Sequence, residues 1–227
     1  MWQNKLAFQT KSANMQTVKK VYNLIILDES GSMEAIKMAT ITGFNELLQS
    51  IRHSEKQDPE IAQFVSFYSF NGAAIKEHCS LSPASALKPL TAQDYKPDHM
   101  TPLYDAIGYS VNSLKKSIET EKDYSVLVTI LTDGEENASK EYSFEAIAAL
   151  ILSLKPLGWV FTYIGANHEV EKTAFSLNIS NHLHFQANED DTKKMFSTNQ
   201  SSRDRYMNKI KSGRKDLGED YFKNQDN

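Results

Sequence analysis

The sequence predicts a doubly wound α/β fold, with a mostly parallel central sheet, one antiparallel edge strand and helices on both faces. Short apolar runs alternate with longer amphipathic stretches along most of the chain, the pattern of strands joined by helical crossovers. Two of the runs, residues 24–27 and 126–131, are almost wholly apolar, as strands covered on both faces must be. Asn71-Gly72 lies between β-prone segments, which signals a tight hairpin and hence one antiparallel neighbour.

The first strand covers residues 21–27. Residues 33–53 follow with Ile36, Ala39, Thr40, Phe44, Leu47, Leu48 and Ile51 near a 3.6-residue period, a helix. Asp58-Pro59 breaks the chain before a strand at 61–70, and the hairpin returns residues 74–81 as an edge strand with one wet face. A loop rich in Pro, Lys and Asp spans 82–100. Thr101-Pro102 opens the next helix, since proline suits a first helical position. Ala106, Ile107, Val111, Leu114 and Ile118 form its apolar stripe. A central strand at 124–131 ends in Thr132-Asp133-Gly134. Then come a helix at 143–155, a strand at 159–164, a short helix at 170–177, a strand at 183–185 and a last helix at 190–210. Residues 1–20 read as an N-terminal extension, 21–210 as one domain and 211–227 as a polar, frayed C-terminal tail.

The length of 227 residues suits one large domain. A net charge of −4 argues against general nucleic-acid binding. The single cysteine, Cys79, excludes an internal disulfide and suits a reducing compartment; it reads as a half-buried strand residue. No apolar run approaches the roughly 20 residues of a membrane span, and residues 1–20 lack a signal-peptide core. The expected location is cytoplasmic.

The chemistry concentrates where strands end. The first strand runs into Asp28-Glu29-Ser30-Gly31-Ser32, a carboxylate and two hydroxyls at the sheet edge where α/β proteins bind ligands. Oxygen donors without Cys or His select hard cations, Mg²⁺ before Zn²⁺. A second buried strand delivers Asp133 to the same edge. Each residue also fits a plainer role: Asp28, Ser30 and Ser32 as turn or cap residues, Thr101 as a helix cap, Asp133-Gly134 as a turn, and Asp105 as an acid favouring a helix dipole.

Asp28-x-Ser30-x-Ser32, Thr101 ahead of Pro102-Leu103, and Thr132-Asp133-Gly134 together resemble the three-part metal-ion-dependent adhesion site (MIDAS) of von Willebrand factor A (vWA) domains. The segments stand in that family's order, within roughly residues 21–200. The resemblance implies the Rossmann-like vWA fold, with Ser30, Ser32 and Thr101 offering hydroxyl oxygens directly to Mg²⁺ or Mn²⁺. Asp28 and Asp133 would act through bound waters. Mg²⁺ takes six oxygens at about 2.0–2.1 Å, and three neutral hydroxyls leave its charge largely uncompensated. In the family the vacancy is filled by a Glu or Asp of a partner protein. Thr101–Asp105 and Thr132–Glu136 look most like intracellular bacterial members, similar to components of stress-response, tellurium-resistance or phage-defence modules. In relatives the last helix can slide as the metal shell changes, which would make residues 190–210 a conformational output.

The expected function is therefore a non-enzymatic, metal-dependent docking module. A Mg²⁺-dependent phosphoester hydrolase and a nucleic-acid-associated scaffold are the alternatives. Glu29, Glu135 and Glu136 read as solvated rim charges. His182 and His184, two apart, form a weak zinc candidate. Arg203, Arg205, Lys209, Lys211, Arg214 and Lys215 read as a solvated helix face, with a nucleic-acid or acidic-protein contact as the sharper alternative.

Overall fold

The computed structural model describes residues 19–166 and 169–222. Most of the expected N-terminal extension and the end of the tail, residues 223–227, lie outside the described residues.

Six strands form one sheet in the order β3-β2-β1-β4-β5-β6. They are β1 (Lys19–Asp28), β2 (Ile61–Phe70), β3 (Ile75–Pro83), β4 (Tyr124–Thr132), β5 (Trp159–Ala166) and β6 (Asn181–Phe185). All neighbours pair parallel except β2 and β3, which are antiparallel. The order follows from the chain's two directions of travel. It steps outward from β1 to β2 and β3, then crosses back to β4 on the other side of β1. The carboxyl ends of β1 and β4 are therefore the switch point, where crossovers diverge and leave a crevice.

Helices α2 (Leu103–Ser117), α3 (Phe144–Leu154) and α4 (Val170–Ser176) cover one face. Their Ile107, Val111, Ile147, Ile151 and Ala174 pack with Leu24, Ile26, Val128 and Ile130 of the sheet. Helices α1 (Lys37–Gln57) and α5 (Glu189–Lys211) cover the other, where Phe44, Leu48, Ile51 and Phe196 meet Ile25, Leu27 and Leu131. Alternate residues of β1 thus serve opposite cores, which is why its sequence shows no polar face. Each such side chain contributes about 1.5–3 kcal/mol by leaving water.

The structure departs from the sequence reading at several elements. The helix after β1 opens with a 3-10 turn, Gly31–Ile36, and continues to Gln57. Residues 212–222 are not frayed. Tyr221 is 3% exposed, and its amide donates to Asn181 Oδ1 at 3.3 Å. Two aromatics in an otherwise polar stretch carry no periodicity, so the docking left no sequence signal.

The basic run is a solvated face only in part: Lys211, Arg214 and Lys215 are exposed, while Arg205 and Lys209 are half-buried. Arg203 is buried at 2% exposure and donates to Asn23 Oδ1 at 2.6 Å and Gln63 Oε1 at 2.5 Å. Burial holds its guanidinium below the usual arginine range. It lies in a polar layer between two apolar clusters on the α1/α5 face. Lys209 donates to the carbonyls of Asp216 and Glu219 at 3.0 and 2.7 Å, Lys211 pairs with Asp58 at 2.5 Å, and Arg214 pairs with Asp216. Much of this positive charge fastens α5 and the following turns. Among the described residues no helix is long and apolar enough to cross a membrane.

Candidate metal centre

Asp28 ends β1 and is fully buried. Its Oδ1 accepts the Ser30 amide at 2.7 Å, and its Oδ2 accepts the Thr132 hydroxyl at 2.5 Å. The carboxylate thereby ties the end of β1 to the end of β4. The phenol of Tyr95 donates to the Asp28 carbonyl at 2.6 Å, fixing the long loop before α2 to the same point. The Asp28 carboxyl thus takes its donors from Thr132 and Ser30, and among the described residues no Lys or Arg is paired to it.

Ser32 is exposed at the mouth. Its hydroxyl donates to Asp133 Oδ1 at 2.6 Å and lies 3.3 Å from the Ser30 hydroxyl. Thr101, 3% exposed, reaches the cluster from the third loop. A methyl added at Gly134 would sit 3.1 Å from the Thr101 hydroxyl and 3.5 Å from that of Ser32. The absence of a side chain at Gly134 is therefore what lets the two hydroxyls share one space. Asp28, Ser30, Ser32, Thr101 and Asp133, the residues expected from the sequence, are brought together.

Of the plainer roles, Asp28 does hold the turn after β1 through the Ser30 amide and Asp105 does sit in the first turn of α2, but Ser30 and Thr101 do not act as caps. Ser30 precedes the 3-10 turn without a side-chain cap bond, and α2 has no side-chain cap at its own start. The first-turn amides of α2 are instead satisfied from the β4–α3 loop: Glu136 Oε2 accepts from Tyr104 at 2.9 Å and Ser139 Oγ from Asp105 at 3.0 Å. Asn137 accepts the Thr101 amide at 2.8 Å. With the helix end served from elsewhere, the Thr101 hydroxyl faces the cluster.

The acids outside the cluster hold loops. Glu29, expected at the rim, is fully buried. Glu136 is half-buried and clamps the amides of Ala138 and Ser139 at 2.9 and 2.7 Å. Asp105 sits in the first turn of α2 and accepts the amides of Lys140, Glu141 and Tyr142 within 2.8–2.9 Å. Only Glu135 of the three rim acids is exposed as expected. His182 and His184 lie on β6, and His182 packs beside Phe175. Among the described residues no group of three His, Cys, Asp or Glu side chains is placed to hold a metal, so the zinc candidate finds no third ligand. Any cation in the switch-point crevice would rest on hydroxyls as much as carboxylates.

That donor set fits a hard cation, since it is all oxygen and its hydroxyls are neutral. The electrostatics agree. Burial pushes the Asp28 carboxyl up to about 6, the bonds from Thr132 and Ser30 pull it down, and nearby Asp133 pushes it up again. Two carboxylates at one strand edge favour a counter-charge between them. A carboxyl raised on folding holds a proton that the unfolded chain gives up. Its stability is present below about pH 4 and lost as the pH rises to about 6. A displacement of that size corresponds to about 3 kcal/mol. In chelator, wild type should lose stability relative to Asp28→Asn over this window, read from urea midpoints at each pH; parallel profiles would show an unperturbed Asp28.

Sequence reasoning places Thr132 in the third segment without giving it a role, reads Glu136 as a rim charge, and misses Tyr95, Asn137 and Ser139. Thr132 stands directly beside Asp133 and was within reach. Tyr95 lies in an unpatterned loop 67 residues from its partner, where nothing local reveals the pairing.

Fold and cluster define a doubly wound α/β domain with an oxygen-lined switch-point crevice. No protein-family model and no curated protein matches the chain by sequence. Solved structures do match by shape. The pilus adhesin SpaC of Lactobacillus rhamnosus GG, in an open conformation, aligns over 81% of this chain and 30% of its own, at 15% identity and a TM-score of 0.57. The manganese-loaded TRAP protein of Plasmodium vivax aligns over 79% and 72%, at 16% identity and 0.52. The SpRpn10 VWA domain aligns over 80% and 94%, at 12% identity and 0.51. The chain thus has the fold of vWA domains. It spans 44% and 45% of the matching chains of the mussel byssus proximal thread matrix protein 1.

Proposed function

We propose that this chain is a non-enzymatic docking module whose crevice carries Mg²⁺ or Mn²⁺ and captures an Asp or Glu of a partner protein. The observation that carries the reading is the meeting of Ser30, Ser32 and Thr101 hydroxyls with Asp133, from three separate loops, at the switch point. Ser30, Ser32 and Thr101 would hold the cation, with Asp28 and Asp133 behind them. The cation would supply a positive point that accepts one more anionic oxygen. Docking is favoured over turnover because Asp28 is fully buried and Asp133 is 4% exposed, with one carboxylate oxygen accepting from Ser32. The exposed oxygen of the cluster is therefore the Ser32 hydroxyl rather than a carboxylate base. The manganese-loaded state of the TRAP neighbour supports a divalent cation in this fold. The Thr101–Asp105 and Thr132–Glu136 segments support a place in an intracellular bacterial complex of the stress-response or defence kind, in the cytoplasm.

The test is a tagged pull-down from cell extract in Mg²⁺ and again in EDTA. A partner should be retained only with the cation, and Ser32→Ala should lose it while keeping the wild-type melting temperature. Retention unaffected by EDTA would overturn the docking mechanism. Turnover of p-nitrophenyl phosphate, abolished by Asp28→Ala, would favour the hydrolase instead.

A further inference from the structure

Glu29 stands inside the Asp28–Ser32 segment, yet its carboxylate takes no part in the cluster. It is 0% exposed and receives donors from three separate segments. The Ser69 hydroxyl of β2 donates to Oε2 at 2.7 Å, and Lys76 Nζ of β3 lies 3.1 Å from Oε2 and 3.2 Å from Oε1. The Lys96 amide of the loop before α2 donates to Oε1 at 2.7 Å. Its backbone works in parallel: the Glu29 amide donates to Phe70 O at 2.7 Å, and its carbonyl accepts the Asp98 amide at 2.9 Å. Because Ser69 donates to Glu29, the His78 Nε2 that lies 2.7 Å from the Ser69 hydroxyl must be the donor there. The anchor thus extends to β3.

A buried carboxylate is tolerated only when its oxygens are filled with donors and a cation. The segment it holds lacks strand or helix of its own from residue 92 to 102 apart from a turn. That segment is tied to the first loop at Asp28 O through Tyr95, at Glu29 through Lys96 and Asp98, and at Gly31 through His99 O at 3.0 Å. Glu29 holds residues 96 and 98 by side chain and backbone. Asn137 holds Thr101 itself in the same double way, at 2.8 and 3.1 Å, and Thr101 follows two residues after His99.

We propose that Glu29 is a positioning residue for the cation site: its buried carboxylate pins the loop that delivers Thr101, without touching the ion. This rests on the cation reading above. It predicts that Glu29→Gln, which keeps the size but turns one acceptor into a donor facing Lys96 N–H or Ser69, weakens Mn²⁺ binding about tenfold, as loss of an outer-shell partner does. Hydrogen exchange of residues 95–101 in chelator should quicken at least about tenfold, while β4 and α3 keep wild-type protection. Ser69→Ala, which removes one donor and leaves the charge, should shift both readouts in the same direction by less. Exchange at 95–101 unchanged in Glu29→Gln overturns the proposal whether or not Mn²⁺ binds. A general loss of protection in Glu29→Gln together with an unaltered loop in Ser69→Ala also overturns it, since Glu29 would then serve only the core. If wild type binds no Mn²⁺, the cation reading fails, and local exchange still decides whether Glu29 positions the loop.

Discussion

Gly43→Ala should lower stability by about 3 kcal/mol, at the upper end for one added methyl in a packed interior. A methyl there would lie 1.9 Å from one ring carbon of Phe196 and within 2.4 Å of two more. Gly43 is thus the notch in α1 that receives the Phe196 ring of α5, and α1 and α5 touch through it. The ring is 5% exposed and packed among Phe44, Leu47 and Met195, so it cannot swing aside; the helices must separate. Thermal melting in chelator should fall by about 6–12 °C for a chain of this size. In Gly43→Ala with Phe196→Ala, the two costs should add to less than their sum, because the second change removes what the first strikes. A melting temperature within a degree of wild type would mean that α5 is not seated on Gly43.

Gly134→Val should lower Mn²⁺ affinity about a hundredfold, as much as loss of a supporting ligand partner, yet leave stability in chelator nearly intact. The branched side chain would occupy the space between the Thr101 and Ser32 hydroxyls, which a Cβ alone already approaches at 3.1 and 3.5 Å. Gly134 is only partly buried at the open end of the sheet, so the packing cost is small. Competitive titration against a fluorescent metal indicator would read the affinity, and urea unfolding in EDTA the stability. Equal affinity in the variant would place the cation away from these hydroxyls; collapse of the domain would make Gly134 a structural residue.

The architecture was legible because strands such as 24–27 and 126–131 must be apolar on both faces and are bounded by polar turns. The cluster was legible for the same reason: Asp28 and Thr132-Asp133 follow those strands directly, and the switch-point rule places the ends of β1 and β4 side by side. What escaped were partnerships between segments remote in sequence. Glu29 looked like one more exposed acid beside Asp28, because nothing near it reveals Ser69, Lys76 and Lys96. Arg203 looked like part of a basic surface, because its acceptors Asn23 and Gln63 sit in strands that read as apolar or neutral. Tyr221 was lost in a polar tail. In each case the partners lie far apart in the chain, 40 residues for Glu29 and Ser69, 140 for Arg203 and Gln63 and 40 for Tyr221 and Asn181, and a local pattern cannot report it.

The central claim is that three loops meet around one hard cation. Titrating the metal-free protein with Mn²⁺ near pH 7.5, and following the free-ion signal by electron paramagnetic resonance, tests it most directly. One equivalent of Mn²⁺ should lose its free signal, Mg²⁺ should restore it by competition, and Ser32→Ala should bind far more weakly. A free signal that rises in proportion to added Mn²⁺ from the first aliquot would contradict the claim.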